Sequence, residues 1–167
     1  MSRQPVNYTL GNIPSGSAGT RTTLKMMAKL IKQFRHHPEI REKALSLVSN
    51  LPQKNYIGEV ANIHEFVRDH IRYVKDVRGV ETLQWPIHTL NTYGQGDCDD
   101  KSMLVASLLE SIGHKTRLVA IGHLPGKFVH VFVQTKIGPR WWNVETTENW
   151  PLGKGPGKMG SIMVEHI

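Results

Sequence analysis

Apolar residues fall at helical spacing three times in the first half of the chain. Between Thr22 and Phe34, Leu24, Met27, Ala28 and Ile31 share one face, with Lys25, Lys29 and Lys32 among them. The pair His36-His37 and Pro38 interrupt this pattern. Pro38 suits the first position of a second helix, PEIREKALSLVS, whose apolar stripe is Ile40, Ala44, Leu47 and Val48. A third helix over 57–72 places Val60, Ile63, Val67 and Ile71 on one face. Residues 73–85 alternate poorly and contain Arg78-Gly79, so they read as a loop with room for a short strand, and 86–90 as a helical turn. A Gly-rich loop then runs into a helix in which Met103, Leu104, Ala106, Leu108, Leu109 and Ile112 are apolar nearly all round. That helix is expected to be central and buried, with Gly113 as the residue just past its end.

After residue 115 the period changes to two. TRLVAI (116–121), FVHVFVQT (128–135) and RWWNVET (140–146) read as strands. The turn Ile137-Gly138-Pro139 makes the last two an antiparallel hairpin. The stretch PLGKGPGKMG (151–160) reads as irregular, and no internal repeat is present. Helices first and strands after them predict an α+β domain, with N-terminal helices followed by a central helix packed on an antiparallel sheet. The expected organisation is an extended arm over 1–20, a basic helical segment over 21–55, a core over 56–150 and a Gly/Pro/Lys-rich tail over 151–167.

Composition narrows the setting. A chain of 167 residues, 39% apolar and 21% charged, is that of an ordinary globular protein able to bury a core. No run is long enough for a transmembrane helix, so no membrane is expected as partner. The stretch MSRQPVNYTLGNIPSG lacks the apolar segment of a secretory signal, and a single cysteine suits a reducing compartment, so a cytoplasmic location is expected. The net charge of +7 is uneven. Residues 1–50 carry eight Lys/Arg against two Glu, whereas residues 56–113 carry five against nine acids. The basic helices could dock on an acidic partner. Without Arg/Gly or aromatic interleaving they do not mark a nucleic-acid module, and a solvated helix face is the plainer reading.

The single cysteine lies in GQGDCDDKSM (94–103). Asp97 is a good N-cap, which puts Cys98 in the first turn of the buried helix, where free N–H groups and the helix dipole favour a thiolate. Asp97 and Asp99 oppose that shift, but one as the cap and one turned to solvent would cost little. A thiolate nucleophile wants an imidazole beside it, and the imidazole an orienting acceptor. His130 interrupts the apolar FVHVFV, and Glu145 lies on the next strand. With the turn at 137–139, His130 and Glu145 face each other across the hairpin, within hydrogen-bond reach. Alone, a buried cysteine is more often inert core, and a strand histidine structural. Cysteine at a helix start, histidine on a strand and a carboxylate opposite it make a catalytic triad the better reading.

Metal chemistry finds less support. His64-Glu65 with His70 does not have zincin spacing, His36-His37 precede a proline in a loop, and Asp97, Asp99 and Asp100 lack the spacing of a calcium loop. Gly94-x-Gly96 is too short for a dinucleotide site.

The stretch from GQGDCDDKSMLVASLLESIGHKTRLVAIG to HVFVQTKIGPRWWNVETT resembles the transglutaminase-like superfamily of cysteine peptidases and acyltransferases. That family shows Gly-x-Cys-x-Asp opening a helix, then His-x-(Tyr/Trp/Phe)-Val and a Trp-x-x-x-Asp strand. The similarity covers about residues 86–148, and residues 56–85 look like small forms from tailed-phage genomes. The resemblance implies a papain-like or transglutaminase-like core with Cys98 as nucleophile, His130 as general base and acid, and Glu145 in the family's Asp position. No cofactor and no metal are expected for this chemistry. An oxyanion hole would combine the Cys98 N–H with an upstream donor, Gln84 or Trp85, although either could equally be surface or core. Trp141, Trp142 and Trp150 could wall an acyl groove or simply pack. The activity implied is thiol-dependent hydrolysis of a peptide or protein amide. The alternatives are glutamine acyl transfer to an amine by the same triad, or a phage assembly component, virion-associated, that uses the fold to bind.

Overall fold

The computed structural model describes residues 12–77 and 82–167 of the chain. Helix α1 (Gly16–Phe34) buries Leu24, Met27, Ala28 and Ile31 and leaves Lys25, Lys29 and Lys32 exposed. It starts at Gly16, not near Thr22, so residues 16–20 are not an extended arm, while residues 1–11 lie outside the described part. Gly16, Ser17, Gly19 and Thr20 are weak helix formers, which hides this first turn in the sequence. Packing overrides propensity there. A Cβ at Gly19 would sit 1.8 Å from the Pro14 carbonyl oxygen, so the chain entering the helix can close on it only because the residue is glycine.

Helices α2 (Pro38–Val48) and α3 (Tyr56–His70) follow, with Pro38 in the first turn of α2 and the Asn55 side chain accepting from the Gly58 N–H at the start of α3. The short strand β1 (Arg72–Tyr73) pairs in parallel with β2 (Gln95–Gly96), so that Tyr73 lies beside Gly96. Between them the helical turn α4 (Pro86–His88) continues as a π-helical turn through Tyr93. The expected loop at Arg78-Gly79 falls outside the described residues.

Helix α5 (Cys98–Ser111) is buried all round, as its composition predicts. It touches α1, α2 and α3 on one side and strands β3 (Thr116–Gly122) and β4 (His130–Ile137) on the other. Met103, Leu104, Val105, Leu108 and Leu109 are fully buried. Each such side chain stabilises the fold by about 1.5–3 kcal/mol, so the helix carrying Cys98 is held as a rigid platform. Strands β5 (Arg140–Val144) and β6 (Ser161–His166) complete an antiparallel sheet of order β5-β4-β3-β6.

Strand β6 corrects the expected tail. Residues 151–160 hold no helix or strand, but 161–166 form the edge strand beside β3, so the core does not stop at 150. Only Met163 of β6 is buried, too weak a pattern to stand out behind a Gly/Pro run. The irregular stretch packs against the sheet: Gly153 lies on the Trp142 ring, and Met159 packs against Val119, Ile121 and Phe132, on the face away from α5.

The hairpin register also differs from expectation. Ile137 pairs with Arg140 and Val133 with Val144, around a two-residue turn at Gly138-Pro139. Glu145 therefore lies one residue beyond the last pair and is not the direct cross-strand partner of His130.

The β3–β4 connection folds tightly on Gly122, where a Cβ would lie 1.5 Å from the Lys127 carbonyl oxygen. This contact brings the chain back so that His130 pairs with Ile121. Backbone cannot step aside as a side chain can. Gly122→Ala should therefore destabilise the protein by about 3 kcal/mol, read as a lowered midpoint in urea denaturation. An unchanged midpoint would show that the 122–130 connection is not tightly packed.

Candidate active site

Asp97 caps α5 as predicted. Its Oδ1 accepts from the N–H groups of Asp99 and Asp100, and the Asp100 carboxylate accepts in return from the Asp97 N–H, closing a capping box. Asp100 also accepts from the Gln84 backbone N–H and from Gln84 Nε2, each at 2.8 Å. Burial and the Asp97 carboxylate nevertheless lift Asp100 to a pKa of about 7.

Asp99 does not point to solvent. It is buried, and its Oδ1 accepts a hydrogen bond from the Cys98 thiol at 3.4 Å. Burial pushes the thiol pKa up, Asp99 and Asp97 push the same way, and a backbone hydrogen bond from Val131 only partly opposes them. These influences run against the expected stabilisation of a thiolate by the helix N-terminus. A helix dipole favours an adjacent anion by about 0.3–1 kcal/mol, whereas desolvating an ion costs several kcal/mol. The balance at Cys98 is toward the neutral thiol.

His130 and Glu145 meet, though not by the expected route. His130 Nε2 lies 2.6 Å from Glu145 Oε2, with Glu145 almost fully buried. A diagonal neighbour lies farther away than a directly opposed one, and the extra methylene of Glu over Asp helps to cover that distance. The other carboxylate oxygen, Oε1, accepts from the Thr147 N–H at 2.7 Å. Burial disfavours the imidazolium form of His130, but the hydrogen bond and charge of Glu145, with Glu148 and Asp99 behind them, outweigh it and raise its pKa. Since Nε2 is engaged, Nδ1 is the ring nitrogen left to exchange a proton with a thiol.

Cys98 and His130 open on one cleft of about 610 Å³. The first turns of α1 form one wall, and Tyr73 and the chain through Val77 form the other. The first turns of α5 are fastened to the start of β4 by Ser102 Oγ, which donates to the Val131 carbonyl.

Gln84 and Trp85 are not brought to this cleft. Gln84 donates to Asp100, and Trp85 packs against Phe34 and His88. Trp141, Trp142 and Trp150 do not line it either: Arg117 lies over Trp141, Gly153 over Trp142 and Lys154 over Trp150. Two residues to which the sequence assigns no site role adjoin these groups. Tyr73 lines the cleft, and its hydroxyl pKa is raised by burial and by Cys98. His64 bonds the Glu145 main chain. The available signals were Tyr73 at the end of a helix-to-strand junction and a histidine beside the aliphatic stripe of α3. Among the described residues, no group of three or more His, Cys, Asp or Glu side chains is arranged to hold a metal ion.

No curated protein matches this sequence. Among solved structures, a candidate protease from Parabacteroides distasonis superposes with a TM-score of 0.65 at 15% identity, over 87% of this chain and 29% of that one. A candidate cysteine protease from Cytophaga hutchinsonii gives 0.57 at 13% identity, over 85% and 55%. Calcium-bound LapG of Legionella pneumophila gives 0.52 at 16% identity, over 76% of each chain. This chain thus spans about a third of the first structure and about half of the second. At these identities the likeness is one of fold. The sequence profile of the transglutaminase-like superfamily, in contrast, matches residues 43–146, from α2 through the Cys98 helix and His130 to Glu145. The chain belongs to the transglutaminase-like superfamily.

Proposed function

We propose that this protein is a thiol-dependent amide or peptide hydrolase working through Cys98, His130 and Glu145. The observation that carries this reading is the 2.6 Å contact between His130 Nε2 and Glu145 Oε2 beside the cleft that holds the only cysteine. The Cys98 thiol gives its proton to His130 Nδ1 as Sγ bonds to the scissile carbonyl carbon, and the carbonyl oxygen takes the negative charge. The Cys98 N–H, in the first turn of α5, is one donor to that oxygen, and the Tyr73 hydroxyl is the second. Collapse expels the amine, which leaves with the proton held on His130, and water then hydrolyses the thioester by the same proton route. Glu145 holds the imidazole in one tautomer and stabilises its cationic form. A protein or peptide substrate suits a rim on which Val77 and Val129 are 79% and 67% exposed.

Because the thiol rests neutral, deprotonation accompanies attack, and His130 must be neutral beforehand. Its raised pKa moves the acid limb of the reaction above the ordinary histidine range: activity falls as pH drops through that pKa and recovers above it.

The test is alkylation of Cys98 by iodoacetamide as a function of pH. Wild type should react faster than His130→Ala once His130 is neutral. Equal rates in the two proteins would defeat the catalytic reading and leave the fold as a binding module. Asp99→Asn should raise the rate several-fold near pH 7.5, because the thiol loses the carboxylate that stabilises its protonated form. A slower reaction would show that Asp99 assists the nucleophile instead. Incubation of a glutamine peptide with a fluorescent amine separates hydrolysis, which leaves the peptide unlabelled, from acyl transfer to the amine.

A further inference from the structure

Glu145 is the first residue past the end of β5 and has no ladder partner to hold it. Its main chain is held from helix α3. His64 Nε2 lies 2.6 Å from the Glu145 carbonyl oxygen, with both residues almost fully buried. A carbonyl can only accept, so Nε2 carries a proton. The other nitrogen, Nδ1, is buried without a hydrogen-bond partner.

That orphan matters. Val60, Ile63 and Val67 are the other buried side chains of α3, and an aliphatic residue would complete that set without leaving a polar atom unsatisfied. Packing alone therefore does not explain a histidine at this position; the bond to Glu145 does. One helical turn on, on the same face, Arg68 Nη1 donates to the Trp150 carbonyl at 3.0 Å, so α3 grips the 145–150 segment twice. The buried Lys101 on α5 donates from Nζ to the carbonyls of Arg68 and Ile71, tying the end of α3 to the helix that carries Cys98. One frame thus joins the nucleophile helix to the residue that orients the imidazole.

We propose that His64 is a positioning residue of the site: by fixing the Glu145 main chain, it sets the Glu145 carboxylate within reach of His130. This rests on the reading that His130 and Glu145 serve Cys98. It also accounts for Glu at a position where the resemblance implies Asp, since the longer side chain works from a backbone anchored beyond the strand end. Burial lowers the His64 pKa despite the backbone bond, so the ring stays neutral and does not compete with His130 for the carboxylate's charge.

The experiment is an NMR titration of the imidazole nitrogens in wild type, His64→Leu, His64→Gln and Glu145→Gln. Glu145→Gln should lower the pKa of His130. His64→Leu should lower it in part, and His64→Gln, which keeps a side-chain N–H donor, should restore it. A filler of the core would change thermal stability in both His64 variants while leaving the His130 titration where it is in wild type. If Glu145→Gln lowers the His130 pKa and His64→Leu does not, the inference about His64 is wrong and the triad stands. If Glu145→Gln has no effect, the triad reading itself fails. Should His64→Leu not fold, the wild-type spectrum decides. His64 must show a protonated Nε2 and a bare Nδ1 at neutral pH, and a His64 that titrates at the ordinary histidine pKa overturns the proposal.

Discussion

The contact between His130 and the Glu145 carboxylate is the constraint on which the rest of this molecule turns. It requires a strand residue to meet an almost fully buried carboxylate on a residue that has already left the neighbouring strand. A buried carboxylate is tolerable only when it is paired and its remaining lone pairs are satisfied. His130 and the Thr147 N–H meet that requirement. The surrounding elements hold the geometry in place. The tight β3–β4 connection at Gly122 delivers His130, α3 anchors the Glu145 main chain, and α5 carries Cys98 to the same cleft on a fully packed core.

Around Cys98 two electrostatic effects oppose each other, and their sizes decide between them. The start of a helix favours an anion modestly, whereas burial and two neighbouring carboxylates disfavour it strongly. These effects favour a protonated thiol, hydrogen-bonded to Asp99, over a standing thiolate–imidazolium pair. In the proposed mechanism nucleophilicity is created during attack and depends on the basicity of His130, which the pairing with Glu145 raises. Asp97 shows how one local motif serves two ends: as a cap it starts α5, and as a charge it helps to keep the thiol protonated.

Much of this is written plainly in the chain. Helices α2, α3 and α5, the hairpin and the cap follow from periodicity and turn chemistry, and the spacing points to a meeting of His130 and Glu145, though through a register that the structure does not have. What is not legible depends on contacts between distant segments. The first turn of α1 forms from poor helix formers because Gly19 lets the chain pack on it, and β6 has too few buried positions to be seen in its own sequence. The hairpin register shifts because a two-residue turn and a three-residue turn look alike in Ile-Gly-Pro. The direction of Asp99 and the role of His64 depend on which atoms the fold brings beside them, and no local pattern encodes that.

The central claim is that Cys98 becomes an acyl carrier through His130. The direct measurement is to mix the protein with p-nitrophenyl acetate, follow nitrophenol release, and locate the acetyl group by peptide mass spectrometry after acid quenching. The account predicts a burst equivalent to the amount of protein, with acetyl on Cys98, and loss of that burst in His130→Ala. An acetyl group found elsewhere, or a burst unchanged by His130→Ala, would contradict it.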